Sequence, residues 1–451
     1  MASAQRAHGL SKIAPESSET VNSSLDLFGT AHTHTSIING DWHEIHSVRD
    51  SPGGVIELKV PGNSDSYLDL NNSYIHLRVK VKKADGTNLD DDANNVLVTP
   101  GDNFFHSLFS SVTVQVNDSD VEYEPNYPHR AYVLNALNHS PEAKKTRLAA
   151  SSGWFADSSV AKDFADMVGE DVAKRKASIV GSRELSYYGK LVLSTVAQEK
   201  LFAPGVSIGL RLQRSSPELC LMAATAAPVG GARVDIEHCS LFARRVQVNP
   251  ALHKVQSDIL FSGRSDIKMH LNRVKTQFHT ISAGVQTQQI KVEQNGQLPN
   301  RVVVGLCDHR AKTGNYTLNP FNFKHTSVNS VELVADGIPV AKRFLPNFGD
   351  SNYARTYMNL FAALGHGDDW TNGITLSDFA GGFAFYVFNL SGDLCEGGGG
   401  AHFIRRGELT LNLGFAAETA NTTSVFVLQE KDGELRIDAE NRVKASDGLF
   451  G

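Results

Sequence analysis

The sequence predicts an all-β protein made of two tandem antiparallel β-sandwich domains, each interrupted by a short helix. Three features of the sequence predict this fold. Apolar and polar residues alternate with period two in many short segments, dipeptides typical of tight turns separate those segments, and two similar helical segments lie about half a chain apart. With 451 residues the chain is also too long for one hydrophobic core, so two domains are expected.

The alternating segments are typical of strands that bury one face and expose the other. They are clearest at residues 55–60, 74–81, 112–116, 206–212, 233–236, 408–413 and 424–428. Turn dipeptides that accept a positive φ at low steric cost include Pro61-Gly62, Asp85-Gly86, Asn295-Gly296, Asp336-Gly337 and Asp432-Gly433. Many short strands joined by such turns indicate a sandwich or a barrel.

The two helical segments, 128–138 and 352–364, resemble each other. The first contains Arg130 and Tyr132 and the second Arg355 and Tyr357, with the two arginines 225 positions apart. Each segment follows a strand, a polar turn and a second short strand in the same order. A repeat of this length indicates a duplicated domain and not a solenoid unit.

The domain organisation follows from the repeat. We expect a flexible N-terminal arm over residues 1–30, a first sandwich over 31–249, a linker over 250–273, a second sandwich over 274–440 and a C-terminal tail over 441–451. The arm has few large apolar side chains to offset the entropy lost on ordering. After the helices, the matching segments of the two halves lie fewer than 225 positions apart. The first half should therefore carry an insertion at about 150–176.

Composition excludes several classes of protein. The chain is 41% hydrophobic and 20% charged, and its formal net charge of −6 gives no overall attraction to a polyanion. No apolar run is long enough to span a bilayer, and the N-terminus lacks the apolar segment of a secretory signal, so we expect synthesis in a reducing compartment. The four cysteines are far apart and are expected to be buried thiols, not zinc ligands or disulfides: Cys220, Cys239, Cys307 and Cys395.

No catalytic, cofactor-binding or metal-binding motif is complete. His43 and His46 could chelate a metal, as could His32 and His34, but the spacing differs from a zinc-protease helix and no third ligand is evident, so solvated histidines are expected. The acidic loop 85–92 could hold calcium, yet it lacks EF-hand spacing and is expected to be a turn with solvated charges. The glycines at 397–400 lack the context of a phosphate-binding loop. We therefore expect no enzyme, no cofactor and no metal.

Several segments are similar to those of a known protein family. They are SLDLFGT at 24–30, TSII at 35–38, FFHSLFS at 104–110, YPHRAY at 127–132, NPFNFKH at 319–325, NYARTY at 352–357 and GGGAHF at 398–403. With two tandem all-β domains that each carry a helix at the same place, the chain resembles the double jelly-roll major capsid proteins of DNA viruses. It is most similar to those of polintons (Mavericks), adintoviruses and virophages.

The resemblance implies two eight-stranded antiparallel jelly-roll domains and a structural protein. Such a protein forms homotrimers, the pseudo-hexagonal capsomers of an icosahedral capsid around double-stranded DNA. The implied partners are other copies of the chain, a penton or minor capsid protein and, through the N-terminal arm, a weak contact with the genome or inner shell. No small-molecule substrate is implied, and the implied location is the virion capsid after synthesis in the host cytoplasm.

Four aromatic and basic side chains are candidates for the trimer interface, namely Arg130, Tyr132, Arg355 and Tyr357. The competing interpretation is that they pack each helix on its own sheet. An alternative function for the whole chain is a tandem β-sandwich carbohydrate-binding or adhesion module. A carbohydrate-binding module would show exposed tryptophans and paired carboxylates on its loops, and the chain has only three tryptophans. An adhesion module would be secreted and cysteine-paired.

Overall fold

A computed structural model describes residues 23–25, 27, 34–47, 49–50, 54–155, 163–167, 169–365, 370–391 and 402–446. Most of the predicted arm (1–30), part of the predicted insertion (150–176) and the end of the predicted tail (447–451) lie outside the described residues.

The described residues of the first half of the chain form eleven strands. They are β1 (Ile37–His46), β2 (Arg49–Asp50), β3 (Val55–Val60), β4 (Tyr67–Lys82), β5 (Val98–Pro100), β6 (Phe109–Val116), β7 (Ser119–Glu124), β8 (Leu185–Gly189), β9 (Ile208–Arg214), β10 (Leu221–Ala223) and β11 (Arg233–Val248). One sheet has the strand order β1-β11-β4-β8 and the other β2-β3-β9-β6-β7, while β5 and β10 pair separately. All the pairings are antiparallel.

Nine strands lie in the part of the second half that the structure describes. They are β12 (Ile267–Ile281), β13 (Thr287–Gln297), β14 (Arg301–Asp308), β15 (Val328–Ala335), β16 (Ile338–Pro339), β17 (Tyr386–Asn389), β18 (Arg406–Phe415), β19 (Thr423–Ile437) and β20 (Val443–Ser446). Their sheets have the orders β12-β19-β14-β17 and β13-β18-β15-β16, and β20 extends the first sheet by pairing with β19. The short β20 lies within the predicted tail.

The two halves have the same topology. If β2, β5, β10 and β20 are set aside, each half has eight strands, and in each half one sheet joins the first, eighth, third and sixth strands while the other joins the second, seventh, fourth and fifth. This is the jelly-roll arrangement, and it confirms the predicted all-β fold of two tandem eight-stranded sandwiches.

Helices occupy the connections between strands. They are α1 (Phe104–Ser107), α2 (Tyr127–Asn138), α3 (Pro141–Ala143), α4 (Ala149–Ser152), α5 (Gly169–Ile179), α6 (Ser194–Ala197), α7 (Pro217–Cys220), α8 (Pro250–Phe261), α9 (His309–Thr313), α10 (Ala354–Leu364) and α11 (Leu376–Gly381). Single 3-10 turns lie at Ser23–Leu25, Phe164–Asp166 and Val180–Ser182, and a π-helical turn lies at Lys144–Leu148. Both α2 and α10 connect the fifth and sixth strands of their jelly roll, so the two predicted helices are topologically equivalent.

The segment between the jelly rolls differs from a simple linker. Residues 250–273 were expected to connect the domains, but helix α8 fills 250–261 and strand β12 already begins at Ile267. Pro250 occupies the first turn of α8, where its missing N–H costs nothing, and the Asn249 side chain accepts a hydrogen bond from the Ala251 N–H at 3.0 Å. The segment between β11 and β12 therefore contains a helix with a capped N-terminus.

A third apolar core joins the two jelly rolls. Each sandwich encloses its own cluster of buried residues, and another cluster combines residues of α2 with the outer face of the sheet β12-β19-β14-β17. Strand β19 is consequently buried on both faces along almost its whole length. Close packing is evident at Gly305 in β14, where a Cβ atom would lie 2.6 Å from Cδ1 of Phe323. The two domains thus form one packed body.

Candidate assembly site and buried polar clusters

Arg130 on α2 lies in a buried polar cluster and is 1% exposed. Its guanidinium donates to Glu122 Oε1 at 2.8 Å, to Glu124 Oε2 at 3.2 Å and to Ser194 Oγ at 3.0 Å. Both carboxylates come from β7, where alternation turns their side chains toward α2. Because the whole cluster is enclosed in a single chain, Arg130 has no surface to offer to another protomer.

The carboxylates of this cluster have partners beyond Arg130. Glu122 also accepts hydrogen bonds from the backbone N–H groups of Ser194 at 2.9 Å and Thr195 at 2.8 Å. Burial raises the pKa of Glu122, but Arg130 and these N–H donors more than offset it, so the pKa lies below its usual value. Glu124 accepts a hydrogen bond from the hydroxyl of Thr276 in β12. The cluster therefore connects the first jelly roll to the second through hydrogen bonds.

Tyr132, two residues further along α2, lies in an aromatic stack between the jelly rolls. Its ring is parallel to that of Phe321 at a centroid distance of 4.6 Å and to that of Trp154 at 5.1 Å. The tyrosine is fully buried within the chain. Stacked rings of this kind contribute beyond the area they bury. Tyr132 thus packs α2 against the neighbouring domain and, like Arg130, has no surface accessible to a partner.

The equivalent residues of α10 have different surroundings. Arg355 is exposed, and Tyr357 is half-buried with its hydroxyl donating to the carbonyl of Ile374 at 2.9 Å. The two Arg-x-Tyr pairs therefore share a place in the topology but not an environment. Of the four candidate interface residues, Arg355 and Tyr357 are the two that remain accessible.

A buried histidine lies beside the interdomain stack. The ring of His129 contacts the ring of Phe278 edge-on at 4.9 Å and that of Phe321 at 5.5 Å. Burial, together with the nearby charge of Lys312, lowers the pKa of His129 to about 3. His106 is buried in the first jelly roll, where burial also lowers its pKa to about 3. Both imidazoles are therefore neutral at physiological pH.

Helix α8 carries an exposed apolar surface. None of its residues is buried, and Leu252, Val255, Ile259 and Phe261 are exposed, with Phe261 71% accessible. Large apolar side chains concentrated on one exposed helix mark a contact surface more often than scattered single ones do. The sequence did not indicate this surface, because these apolar residues were assigned to a linker between the domains.

The cysteines that the structure describes are buried. Cys220, Cys239 and Cys307 are buried thiols, as predicted, while Cys395 lies outside the described residues. Burial raises the pKa of Cys220 and of Cys307 to about 12, so neither forms a nucleophilic thiolate near neutral pH. Among the described residues no helix is long and apolar enough to cross a membrane.

The acidic loop uses its carboxylates for local turns. Asp85 accepts hydrogen bonds from the backbone N–H and the hydroxyl of Thr87 at 2.8 and 2.7 Å, and Asp92 accepts from the N–H of Asn94 at 2.9 Å. These are the hydrogen bonds of Asx-turns. Asp85 and Asp92 therefore act as acceptors in local turns of this loop.

Comparison with known proteins agrees with the double jelly-roll fold. No family model matches the chain. A chain of the Sputnik virophage structure superposes with a TM-score of 0.65 and 12% identity, covering 98% of this chain and 96% of that one. The Faustovirus major capsid protein gives a TM-score of 0.55 with 10% identity over 91% of this chain and 92% of its own. The mavirus major capsid protein gives 0.54 with 12% identity over 97% of each chain.

A curated sequence relative comes from an animal. The uncharacterized protein F54H12.2 of Caenorhabditis elegans is 21% identical over 401 residues, which cover 86% of this chain and 92% of the relative. The matched length therefore spans both jelly rolls.

Proposed function

We propose that this chain is the major capsid protein of a virus or virus-like element of the polinton (Maverick) type. In this function three copies form a pseudo-hexagonal capsomer, and the capsomers build an icosahedral shell around a double-stranded DNA genome. The observation that carries the proposal is the complete duplication of the jelly roll, with the same strand order in both halves and a shared core between them.

The shared core fixes the position of one jelly roll relative to the other. Two jelly rolls that are fused through α2 cannot rotate independently, so one chain presents two similar bodies at a fixed angle. Three such chains around a threefold axis place six jelly rolls in a ring, and a closed ring limits the size of the unit before it tiles a surface.

Contacts between protomers are expected on the accessible helices. We assign the exposed apolar residues of α8, together with Arg355 and Tyr357 on α10, to contacts with neighbouring copies of the chain. A shell repeats each contact many times, so individual contacts between capsomers need contribute only a few kcal/mol. A trimer interface that survives purification should be larger and more apolar.

The relatives support the polinton assignment. A sequence relative in an animal, combined with structural similarity to proteins of virophages, is what an integrated virus-like element would produce. The proposal extends to a penton or minor capsid protein as a second partner, to a contact of the N-terminal arm with the genome or inner shell, and to the virion capsid as location after synthesis in host cytoplasm.

Size-exclusion chromatography with light scattering and negative-stain microscopy test this function. Three chains of 49.0 kDa should elute as a particle of about 147 kDa and appear as hexagonal capsomers or shells. Val255→Asp should weaken the trimer or the shell, whereas Val229→Asp, a matched change at a loop residue that is 85% exposed, should not. A folded monomer at all concentrations, with no assemblies in the microscope, would contradict the proposal and favour a binding module.

A further inference from the structure

A cluster of metal-ligating side chains lies on the outer face of the sheet β1-β11-β4-β8. Glu44 comes from β1, His238 from β11 and His76 from β4, which are three adjacent strands. Strand alternation turns all three away from the core, because their neighbours Leu77 and Cys239 point into it. These residues are up to 194 positions apart in sequence, so the cluster becomes visible only in the fold.

The three side chains converge on one point. One potential ligand atom from each of Glu44, His76 and His238 lies within 4.8 Å of the other two. Nε2 of His238 is 3.4 Å from Oε1 of Glu44, and the rings of His76 and His238 have centroids 5.3 Å apart. In a tetrahedral zinc site, with ligand bonds of about 2.0 to 2.2 Å, neighbouring ligand atoms are about 3.3 Å apart. Small side-chain rotations therefore suffice to close the site.

We propose that Glu44, His76 and His238 form a zinc-binding site on the surface of the first jelly roll. Two imidazole nitrogens and one carboxylate oxygen are a common donor set for this ion, which leaves a fourth position for water or for His46, whose ring centroid is 5.7 Å from that of His238. Without the ion, Ser186 Oγ lies 3.1 Å from Nε2 of His76 and Ser240 Oγ lies 3.0 Å from Nε2 of His238, so zinc would replace the Ser240 contact if His238 ligates through Nε2.

The site has a mechanical consequence for strand β1. This strand lies at the edge of its sheet and most of its residues are exposed, so its attachment depends largely on hydrogen bonds to β11. A zinc ion that bridges Glu44 to His76 crosses β11 and ties the edge strand to the third strand of the sheet. The inference is independent of capsid assembly, because all the ligands belong to one chain.

Calorimetric titration of the purified full-length chain with zinc chloride, after treatment with a chelator, tests the site. We expect one zinc ion per chain at this site, and a rise in Tm of about 5 to 10 °C at a zinc concentration 100-fold above Kd. His76→Ala and His238→Ala should abolish both effects, and Glu44→Gln should weaken binding while preserving the shape of the side chain.

His43→Ala is the matched control. His43 lies on the same strand beside Glu44 but on the opposite face, and it is also exposed, so its loss should leave zinc binding unchanged. The Tm in chelator should be the same for all variants, which separates lost binding from lost folding. Failure of the wild-type chain to bind zinc, or equal binding by wild type, His76→Ala and His238→Ala, would overturn the proposal.

Discussion

Replacing Arg130 with Ala should destabilise the monomer and not merely its association. The substitution leaves Glu122 and Glu124 buried without their cation, and these residues are only 7% and 1% exposed. Removing one partner of a buried ion pair costs about 3 to 5 kcal/mol, because the remaining charge is left uncompensated. In a domain of about 150 to 250 residues, each kcal/mol lost lowers Tm by about 2 to 4 °C. The expected decrease in Tm is therefore about 6 to 20 °C.

Thermal unfolding together with light scattering measures this effect, and Arg355→Ala is the control. Arg355 belongs to the equivalent helix but is exposed, so its loss should change the free energy of unfolding by no more than about 0.5 kcal/mol. Combining Arg130→Met with Glu122→Gln and Glu124→Gln should recover part of the lost stability, since no charge then remains buried. A folded Arg130→Ala monomer with the wild-type Tm would refute the reasoning and assign Arg130 to an interface.

Two further predictions concern the core. The pKa of His129 is about 3 in the folded protein and its ordinary value is 6.5, so the unfolded chain takes up a proton first as the pH falls, and stability is lost from about pH 6.5 downwards. At pH 5 the shifted pKa lowers the free energy of unfolding by about 2 kcal/mol. His129→Phe should remove that part of the acid sensitivity, which is measured as Tm against pH. An unchanged dependence of Tm on pH in this variant would contradict the prediction. Gly305→Ala should lower the free energy of unfolding by about 1 to 3 kcal/mol, because the new Cβ atom would contact the ring of Phe323. Gly209→Ala should cost less, because its Cβ atom would contact the flexible side chain of Gln115. Denaturant unfolding of both variants checks this, and equal costs would count against the packing argument.

The sequence alone was sufficient for the fold class. Strand alternation depends on which face of each strand is buried, and that pattern is local, so β3 and β9 were predicted within two residues of their observed bounds. Strand β4 begins at Tyr67, seven residues before the predicted segment 74–81. The duplication was also readable, because the order of strand, turn, strand and helix repeats along the chain. Between the domains, the sequence did not indicate that helix α8 occupies 250–261 or that β12 begins at Ile267.

The environments of individual side chains depended on the tertiary structure. Arg130 and Arg355 occupy similar sequence contexts, yet only the first is enclosed, because α2 lies between the two jelly rolls and one side of α10 remains accessible. Likewise, Glu44, His76 and His238 come together only because their strands are neighbours in a sheet. Sequence periodicity determines which face of an element is apolar, but long-range packing determines what that face meets, and with it the charge, burial and chemistry of each side chain.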